Sequence, residues 1–321
     1  MKSRAVAVTI ALSFAITGGG WLGAADVPPP WAFAVNPPGG QPVPDDGVAR
    51  HVPNSSAAFT LTQIRDLFRV PDWHPDNHSP MPEIVAQGRK PGVFACGFCH
   101  LPNGLGRPEN SSLAGLPADY IMQQVADFKS GARRSSEPAS LPVNLMIAVA
   151  KAATEAEVKI AAEYFAALKR TPWIRVVETD TVPQTRVAGW MLIAADGGGQ
   201  EPIGQRVIEM PEDLERTELR DSASGFVAYV PAGAIAKGEA LAAGGGGKTA
   251  ACAICHGAQL RGLGPVPGLA GRSPSYIVRQ LYDLKYGVRA GHWGELMKTV
   301  VAQLSDEDLV SLAAYTASLA P

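Results

Sequence analysis

The chain has little charge, and the charges it has nearly cancel. Charged residues make up 18% of the 321 positions, and 28 Lys and Arg stand against 30 Asp and Glu, for a formal net charge of −2. With no basic surplus, the composition argues against nucleic acid as a partner. Long hydrophobic runs are also missing after the N-terminus, since no later segment reaches the roughly 20 apolar residues that a bilayer-spanning helix needs. We therefore expect no integral membrane segment in the mature chain.

The N-terminus has the pattern of an export signal. Lys2 and Arg4 precede an apolar run at residues 5–17, and "GGGWLGAAD" places small residues just before Asp26. This order of features predicts a signal peptide over residues 1–25. An uncleaved membrane anchor is the alternative, but the run is short for a bilayer. Loss of Lys2 and Arg4 on cleavage changes the formal charge from −2 to −4.

Cysteine is scarce, and its placement is unusual for an exported chain. Two disulfides would be the default for four cysteines in an oxidising compartment. Here the cysteines instead form two tight pairs, each followed directly by a histidine: Cys96, Cys99 and His100 in "CGFCH", and Cys252, Cys255 and His256 in "CAICH". This spacing is common for cofactor attachment and rare for structural bridges.

The second cluster belongs to an internal repeat. The offset of 252 − 96 = 156 persists downstream, so that "LAG" at 113–115 matches "LAG" at 269–271. After Gly131 the offset becomes 151, which indicates a five-residue insertion in a loop between Gly131 and Met146. Agreement over so many positions predicts one supersecondary unit used twice.

Each copy reads as a helical module of roughly 80 residues. One helix begins near Pro117 or Pro274, a residue tolerated in a first turn, and ends at Gly131 or Gly287. The last helix of each copy opens on a capping-box pattern, "TEAE" at 154–157 and "SDED" at 305–308. Because so small a module has a thin core, a large apolar cofactor would supply the missing contacts.

C-x-x-C-H is the attachment sequence of c-type haem. Two thiols on one helical turn can form thioethers to the two vinyl groups, and the next residue then directs an imidazole at the iron. Zinc needs four ligands, and a His directly after Cys is poorly placed for that. A redox dithiol needs no His and would lie on a βαβ unit, which the pattern lacks. Two such motifs in matching modules favour two haem c groups.

The iron's sixth ligand is predicted to be Met146 in the first module and Met297 in the second. They occupy matching places, each eight residues before the capping Thr154 or Ser305. A thioether suits haem iron, although Met more often simply fills a core. Met122 competes in the first module, but it aligns with Val278 and we interpret it as packing.

Two further roles follow from the haem interpretation. An attachment histidine needs an acceptor for its other ring nitrogen, and the backbone carbonyls of Ser111 and Pro267 lie at matching places. Arg133 and Arg289 also match and precede the two Met ligands. They could hold haem propionates, because Arg suits carboxylates, or they could be solvated surface charges.

With these motifs the chain resembles the two-haem class I cytochromes c. The residues that carry the resemblance are "CGFCH" with Met146, "CAICH" with Met297, and the "LAG-x-x-x-x-Y-I-x-x-Q" segments between them. The resemblance implies electron transfer in the bacterial periplasm, two His/Met haems and two globular domains. It also implies protein redox partners, such as a periplasmic dehydrogenase or a terminal oxidase.

The predicted fold is mainly α, with two cytochrome c-like domains joined by a small β-rich insert. The predicted divisions are a signal peptide (1–25), a Pro-rich extension (26–90), haem domain 1 (91–171), the insert (172–235) and haem domain 2 (236–321). Within the insert, "WIRVVET", "AGWMLIA", "GQRVIEM" and "GFVAYV" alternate as strands do. The long spacer leaves open whether the two haems lie edge to edge.

A second cluster, "PDWHPDNHSPMPE" at 71–83, contains His74, His78 and Met81. Its four prolines forbid a regular helix, so we interpret it as an irregular loop over a haem pocket rather than a metal site. No motif of a catalytic site stands elsewhere. The expected function is that of an electron carrier and not of an enzyme. A subunit of a larger dehydrogenase or oxidase complex is the first alternative, and a two-haem peroxidase the second.

Overall fold

The computed structural model describes residues 28–40 and 43–321, so the predicted signal peptide lies outside the described residues. Helices form both ends of this part of the chain, and all of its strands lie between residues 174 and 231. The helices are α1 (Leu61–Ile64), α2 (Glu83–Ala86), α3 (Cys96–His100), α4 (Ala118–Ser130), α5 (Leu141–Ala152), α6 (Glu155–Ala167), α7 (Leu214–Glu218), α8 (Ala234–Gly244), α9 (Ala253–His256), α10 (Pro274–Lys285), α11 (Gly294–Val301) and α12 (Asp306–Ser318). The strands are β1 (Ile174–Thr179), β2 (Thr181–Pro183), β3 (Thr185–Ala188), β4 (Met191–Ala194), β5 (Gln200–Pro202), β6 (Ile208–Pro211) and β7 (Phe226–Pro231).

The repeat predicted from the sequence is present as two helical modules, α3 to α6 and α9 to α12. The predicted C-terminal glycine of the first long helix is confirmed, since Gly131 caps α4 with a φ of 82°. Both capping boxes are formed, by Thr154 with Glu157 in module 1 and by Ser305 with Asp308 in module 2. A loop at residues 131–140 lies between Gly131 and Met146, as predicted, and it is longer than its counterpart at 286–293; α5, which follows it, is also longer than α11.

The helix that precedes module 2, α8, crosses the last helix of that module, α12, and the crossing depends on a glycine. At Gly238 in α8, a Cβ atom would lie 2.0 Å from the backbone oxygen of Ser311 in α12. The two helices therefore touch backbone to backbone. Module 1 has only the four-residue α2 before its cysteines, and Ile84 and Val85 of that helix pack in the core with Phe165 of α6.

This crossing predicts that Gly238→Ala destabilises the holoprotein by about 1–3 kcal/mol, the usual range for overpacking. The matched control is Gly244→Ala at the end of the same helix, where a Cβ would meet no atom within 4 Å. Urea unfolding followed by far-UV circular dichroism measures both. If the urea midpoint of Gly238→Ala equals that of Gly244→Ala, the helix crossing accommodates the added Cβ with no loss of stability.

The insert forms a small sheet with two hairpins. β1 pairs with β7 in parallel and β6 pairs with β7 antiparallel, while β2 pairs with β5 and β3 with β4. The prediction of one strand through "AGWMLIA" was wrong in its first half. Gly189 and Trp190 form the two-residue turn between β3 and β4, with φ values of 57° and 61°. Positive φ at both central residues is the type I′ geometry that matches the twist of hairpin strands.

The β-rich insert and the N-terminal extension pack against the two modules. Glu209 in β6 is 2% exposed, and its Oε2 accepts a 2.6 Å hydrogen bond from Ser273 Oγ at the start of α10. Burial raises the pKa of Glu209. Phe33 of the extension packs in the core of module 2, and Ile84 and Val85 pack in that of module 1. Within the described ranges, no helix is long and apolar enough to cross a membrane.

Candidate functional site

Each module contributes attachment residues to a large cleft. The space between atoms, open mouths included, is about 1550 Å³ in cleft 1 and about 1500 Å³ in cleft 2. Cleft 1 is lined by Cys96, Cys99, His100 and Met146 among others. Cleft 2 is lined by Cys255, His256 and Met297. The structure thus brings the predicted attachment motif and the predicted Met together in cleft 1. In module 2 it brings Cys255, His256 and Met297 together, whereas Cys252 packs against the core and is not among the residues that line cleft 2.

The short helices α3 and α9 position the attachment motifs. His100 is the last residue of α3 and His256 the last of α9. The predicted acceptors for their second ring nitrogens are confirmed. His100 Nδ1 lies 2.8 Å from the backbone oxygen of Ser111, and His256 Nδ1 lies 2.8 Å from that of Pro267. Such a bond fixes the tautomer and leaves the Nε2 lone pair of each ring available to a metal.

Three of the four cysteines, Cys96, Cys99 and Cys252, are partly buried, and Cys255 is exposed. None of the four forms a disulfide in the structure. Burial raises the pKa of Cys96 to about 12, and burial also raises the pKa values of Cys99 and Cys252. Dithiol exchange uses the thiolate, which burial disfavours at Cys96, Cys99 and Cys252. A neutral thioether carries no such cost, so these three thiols fit covalent haem attachment better than redox exchange.

The imidazoles fit the same role. Burial lowers the pKa of both His100 and His256, although a hydrogen bond to a backbone carbonyl opposes this in each case. A neutral imidazole is the form that binds a metal. The methionines come from the helix that follows the repeat's loop: Met146 lies in α5 and Met297 in α11.

The two clefts share one wall. Six residues line both of them: Ser111, Leu116, Tyr120, Gln124, Tyr276 and Gln280. Arg133 lines cleft 1 only and Arg289 lines cleft 2 only, and the two arginines meet in an antiparallel backbone bridge. The long spacer does not keep the two modules apart, because α4 of module 1 and α10 of module 2 both contribute side chains to this shared wall.

The arginines cross between modules with approximate two-fold symmetry. Arg133 Nη2 donates to Tyr276 Oη at 2.8 Å, and Arg289 Nη2 donates to Tyr120 Oη at 2.7 Å. Each guanidinium also donates to Gln Oε1 atoms of both modules, as in the 2.8 Å bond from Arg133 Nη2 to Gln280. Arg133 is 7% exposed, so it is not the solvated surface charge that the sequence left open.

The positive charges of Arg133 and Arg289 change the pKa of a neighbouring side chain in this wall. Burial acts to raise the pKa of Tyr276, but Arg133 and Arg289 outweigh it and lower the pKa to about 8. Burial raises the pKa of Asp283, which lines cleft 1. A haem carries two propionates, and paired guanidinium groups are the groups that proteins use to hold carboxylates. The two guanidinium groups of the wall therefore fit a negatively charged group such as a haem propionate.

Sequence reasoning missed several lining residues. Phe33 of the extension and Arg279 of module 2 both line cleft 1. No local pattern marks either residue, since the contacts cross long stretches of sequence. The cluster at 71–83 lines neither cleft, so its predicted place over a haem pocket was wrong. Its irregular conformation is confirmed, since its helical residues are a short 3-10 turn at Pro75–Asn77 and Glu83, the first residue of α2.

Comparison with known proteins agrees with the donor set. No protein-family model matches the chain. The chain is 38% identical over 78 residues to cytochrome c-554(548) of Halomonas halodenitrificans, which covers 24% of this chain and 94% of that protein. It is 27% identical over 234 residues to the thiosulfate dehydrogenase electron acceptor of Thiomonas intermedia, covering 71% of this chain and 80% of the relative.

Among solved structures, thiosulfate dehydrogenase (TsdBA) from Marichromatium purpuratum is similar at 24% identity with a TM-score of 0.49. The match covers 74% of this chain and 39% of that one. The sequence relatives, the paired C-x-x-C-H motifs and the two equivalent clefts give one answer. The chain belongs to the cytochrome c family, carries two covalently bound haem c groups and transfers electrons.

Proposed function

We propose that this chain is an exported carrier of the bacterial periplasm that passes single electrons from a dehydrogenase to a terminal acceptor. The observation that carries the proposal is the pair of equivalent clefts that share one wall of side chains. Two cofactors on either side of one layer of side chains are close enough to exchange an electron. The signal-peptide pattern at residues 1–25 supports export.

In this proposal each residue of the site has a defined task. Cys96, Cys99, Cys252 and Cys255 attach the haems, and His100 and His256 are the proximal ligands. Met146 and Met297 are the distal ligands, and Met/His ligation raises the reduction potential. Haem supplies the one-electron Fe(III)/Fe(II) couple. The protein fixes the ligands, excludes water and sets the electrostatics.

The partner is proposed from the name of a relative. The Thiomonas protein is called an electron acceptor of thiosulfate dehydrogenase, and it aligns with 71% of this chain. A periplasmic dehydrogenase is accordingly the proposed donor, and a role as a subunit of such a complex agrees with the same relative. A peroxidase would need one iron with an open distal site, and the matching positions of Met146 and Met297 argue against that.

A spectroscopic redox titration of the purified holoprotein tests the proposal. We expect two one-electron steps and, in the oxidised protein, a Met-to-iron charge-transfer band that integrates to two haems. We also expect no peroxide turnover. A high-spin haem in the isolated protein, or clear peroxidase activity, would refute the carrier function. Co-purification of a dehydrogenase from a native source would separate the subunit role from that of a free carrier.

A further inference from the structure

The two modules differ most at the surface around the second cysteine of each motif. We call this surface the attachment face, represented by Phe98 and Arg107 in module 1 and by Ile254 and Leu263 in module 2. These positions correspond through the 156-residue offset. Phe98 and Arg107 are 4% and 7% exposed, whereas Ile254 and Leu263 are 69% and 59% exposed. One attachment face is thus buried and its counterpart open.

Residues 217–222 of the insert, the cover segment, bury the attachment face of module 1. The Arg220 guanidinium lies 3.6 Å from the centre of the Phe98 ring, and Arg220 Nη1 donates to the Phe98 backbone oxygen at 2.8 Å. Arg107 Nη1 donates to the Thr217 backbone oxygen at 3.2 Å. Asn103 Nδ2 donates to the Ser222 backbone oxygen at 2.6 Å. Burial lowers the pKa of Arg220 to about 9.

The extension holds the cover segment in place from behind. Trp73, 2% exposed, donates from Nε1 to the Leu219 backbone oxygen at 2.7 Å. His74 Nε2 lies 2.8 Å from Asp221 Oδ1, and both residues are buried. The irregular segment around His74 is therefore a structural brace between the extension and the insert, which explains why it lines neither cleft.

The open face of module 2 is mainly apolar, although Arg261, which lies between Ile254 and Leu263 in sequence, and Glu295 and Lys298, which flank Leu296, are exposed charged residues. Of the nine exposed large hydrophobic side chains in the described ranges, four line cleft 2 and none lines cleft 1. The four are Ile254, Leu263, Trp293 and Leu296. Residues 249–260 and 262–271 contain no Asp, Glu, Lys or Arg. Exposed apolar patches of this kind mark interaction sites.

We propose that the insert is an internal cover for haem 1, and that the open attachment face of module 2 is where redox partner proteins dock. The partner is a redox protein whose own cofactor lies under a mainly apolar patch, complementary to the exposed apolar side chains of this face. Donor and acceptor then use the same face in turn, and haem 1 holds a second electron behind haem 2. The inference rests on the proposed carrier function.

The docking half is tested on the holoprotein with a methyl-terminated alkanethiol monolayer on gold, an apolar and uncharged probe surface. We expect wild type to adsorb and to exchange electrons at a rate that hardly changes between about 0.01 and 0.5 M salt, because no ion pairs form. Ile254→Lys should lower both adsorption and the exchange rate about tenfold or more, as a charge at the centre of an interface does.

The matched control is Ile160→Lys, since Ile160 is 46% exposed on α6 and lines neither cleft. This variant should behave as wild type. Equal losses in both variants, or a rate that falls steeply with salt, would overturn the docking site. The bulk redox titration stays separate, because it reports haem content and ligation. Failure of the carrier function would appear there and not in adsorption.

The cover is tested by deuterium exchange, which needs no electron transfer. Residues 97–107 should exchange more slowly than residues 253–263 in wild type. Arg220→Gly should raise exchange in the first segment only, and Gly tolerates the φ of 59° that Arg220 adopts, so the backbone keeps its conformation. Equal exchange of the two segments in wild type, or no response to Arg220→Gly, would show that the insert does not cover haem 1.

Discussion

Met297→Ala is expected to lower the reduction potential of haem 2 by the order of 0.1–0.3 V, out of the roughly 0.8 V that axial ligands span. A thioether favours the reduced iron, so its loss favours the oxidised form. Met297 lines cleft 2 and is absent from the lining of cleft 1. The potential of haem 1 should therefore change little. Spectroscopic redox titration measures both potentials, and near-infrared absorption measures the loss of half the charge-transfer intensity.

Met122→Ala is the matched control for this substitution. Met122 lies in α4, packs against the core of module 1 and lines neither cleft. It should keep both potentials and the full charge-transfer band. If Met297→Ala also keeps both potentials, Met297 is not the ligand of haem 2. Equal shifts in both potentials would instead indicate a change in the shared wall.

The local features of the site were predictable from the sequence. Capping boxes, the glycine cap at Gly131 and the Nδ1 acceptors of Ser111 and Pro267 all involve residues within about a dozen positions of one another. Short-range geometry of this kind is set by backbone preferences and by hydrogen-bond saturation, which a single sequence displays. Because the module occurs twice in the sequence, each predicted feature could be checked against its counterpart in the second copy.

The long-range features were not predictable. Arg133 and Tyr276 are 143 positions apart, and Phe98 and Arg220 are 122 apart. Nothing in the residues around Arg133 distinguishes a wall between two clefts from a solvated surface. The turn at Gly189 and Trp190 was missed for another reason: apolar alternation runs through it, and only the positive φ values reveal the reversal.

Arg289→Met should lower the potential of haem 2 by much less than Met297→Ala does. Arg289 lines cleft 2 and donates to Tyr120, Gln124 and Gln280. A reduced haem carries one more negative charge than an oxidised one, so a nearby guanidinium favours reduction. Loss of one such charge costs on the order of 1–2 kcal/mol at the effective dielectric of a protein, which is roughly 40–90 mV for one electron.

The control Arg289→Lys separates charge from geometry. Lysine keeps the positive charge but cannot donate in the fork that reaches all three partners. If charge sets the potential, Arg289→Lys should stay near wild type while Arg289→Met falls. The same titration resolves haem 1, whose smaller shift follows because Arg133 remains in the wall of cleft 1. Two unchanged potentials in Arg289→Met would show that this guanidinium does not act on a haem and would remove the proposed propionate contact.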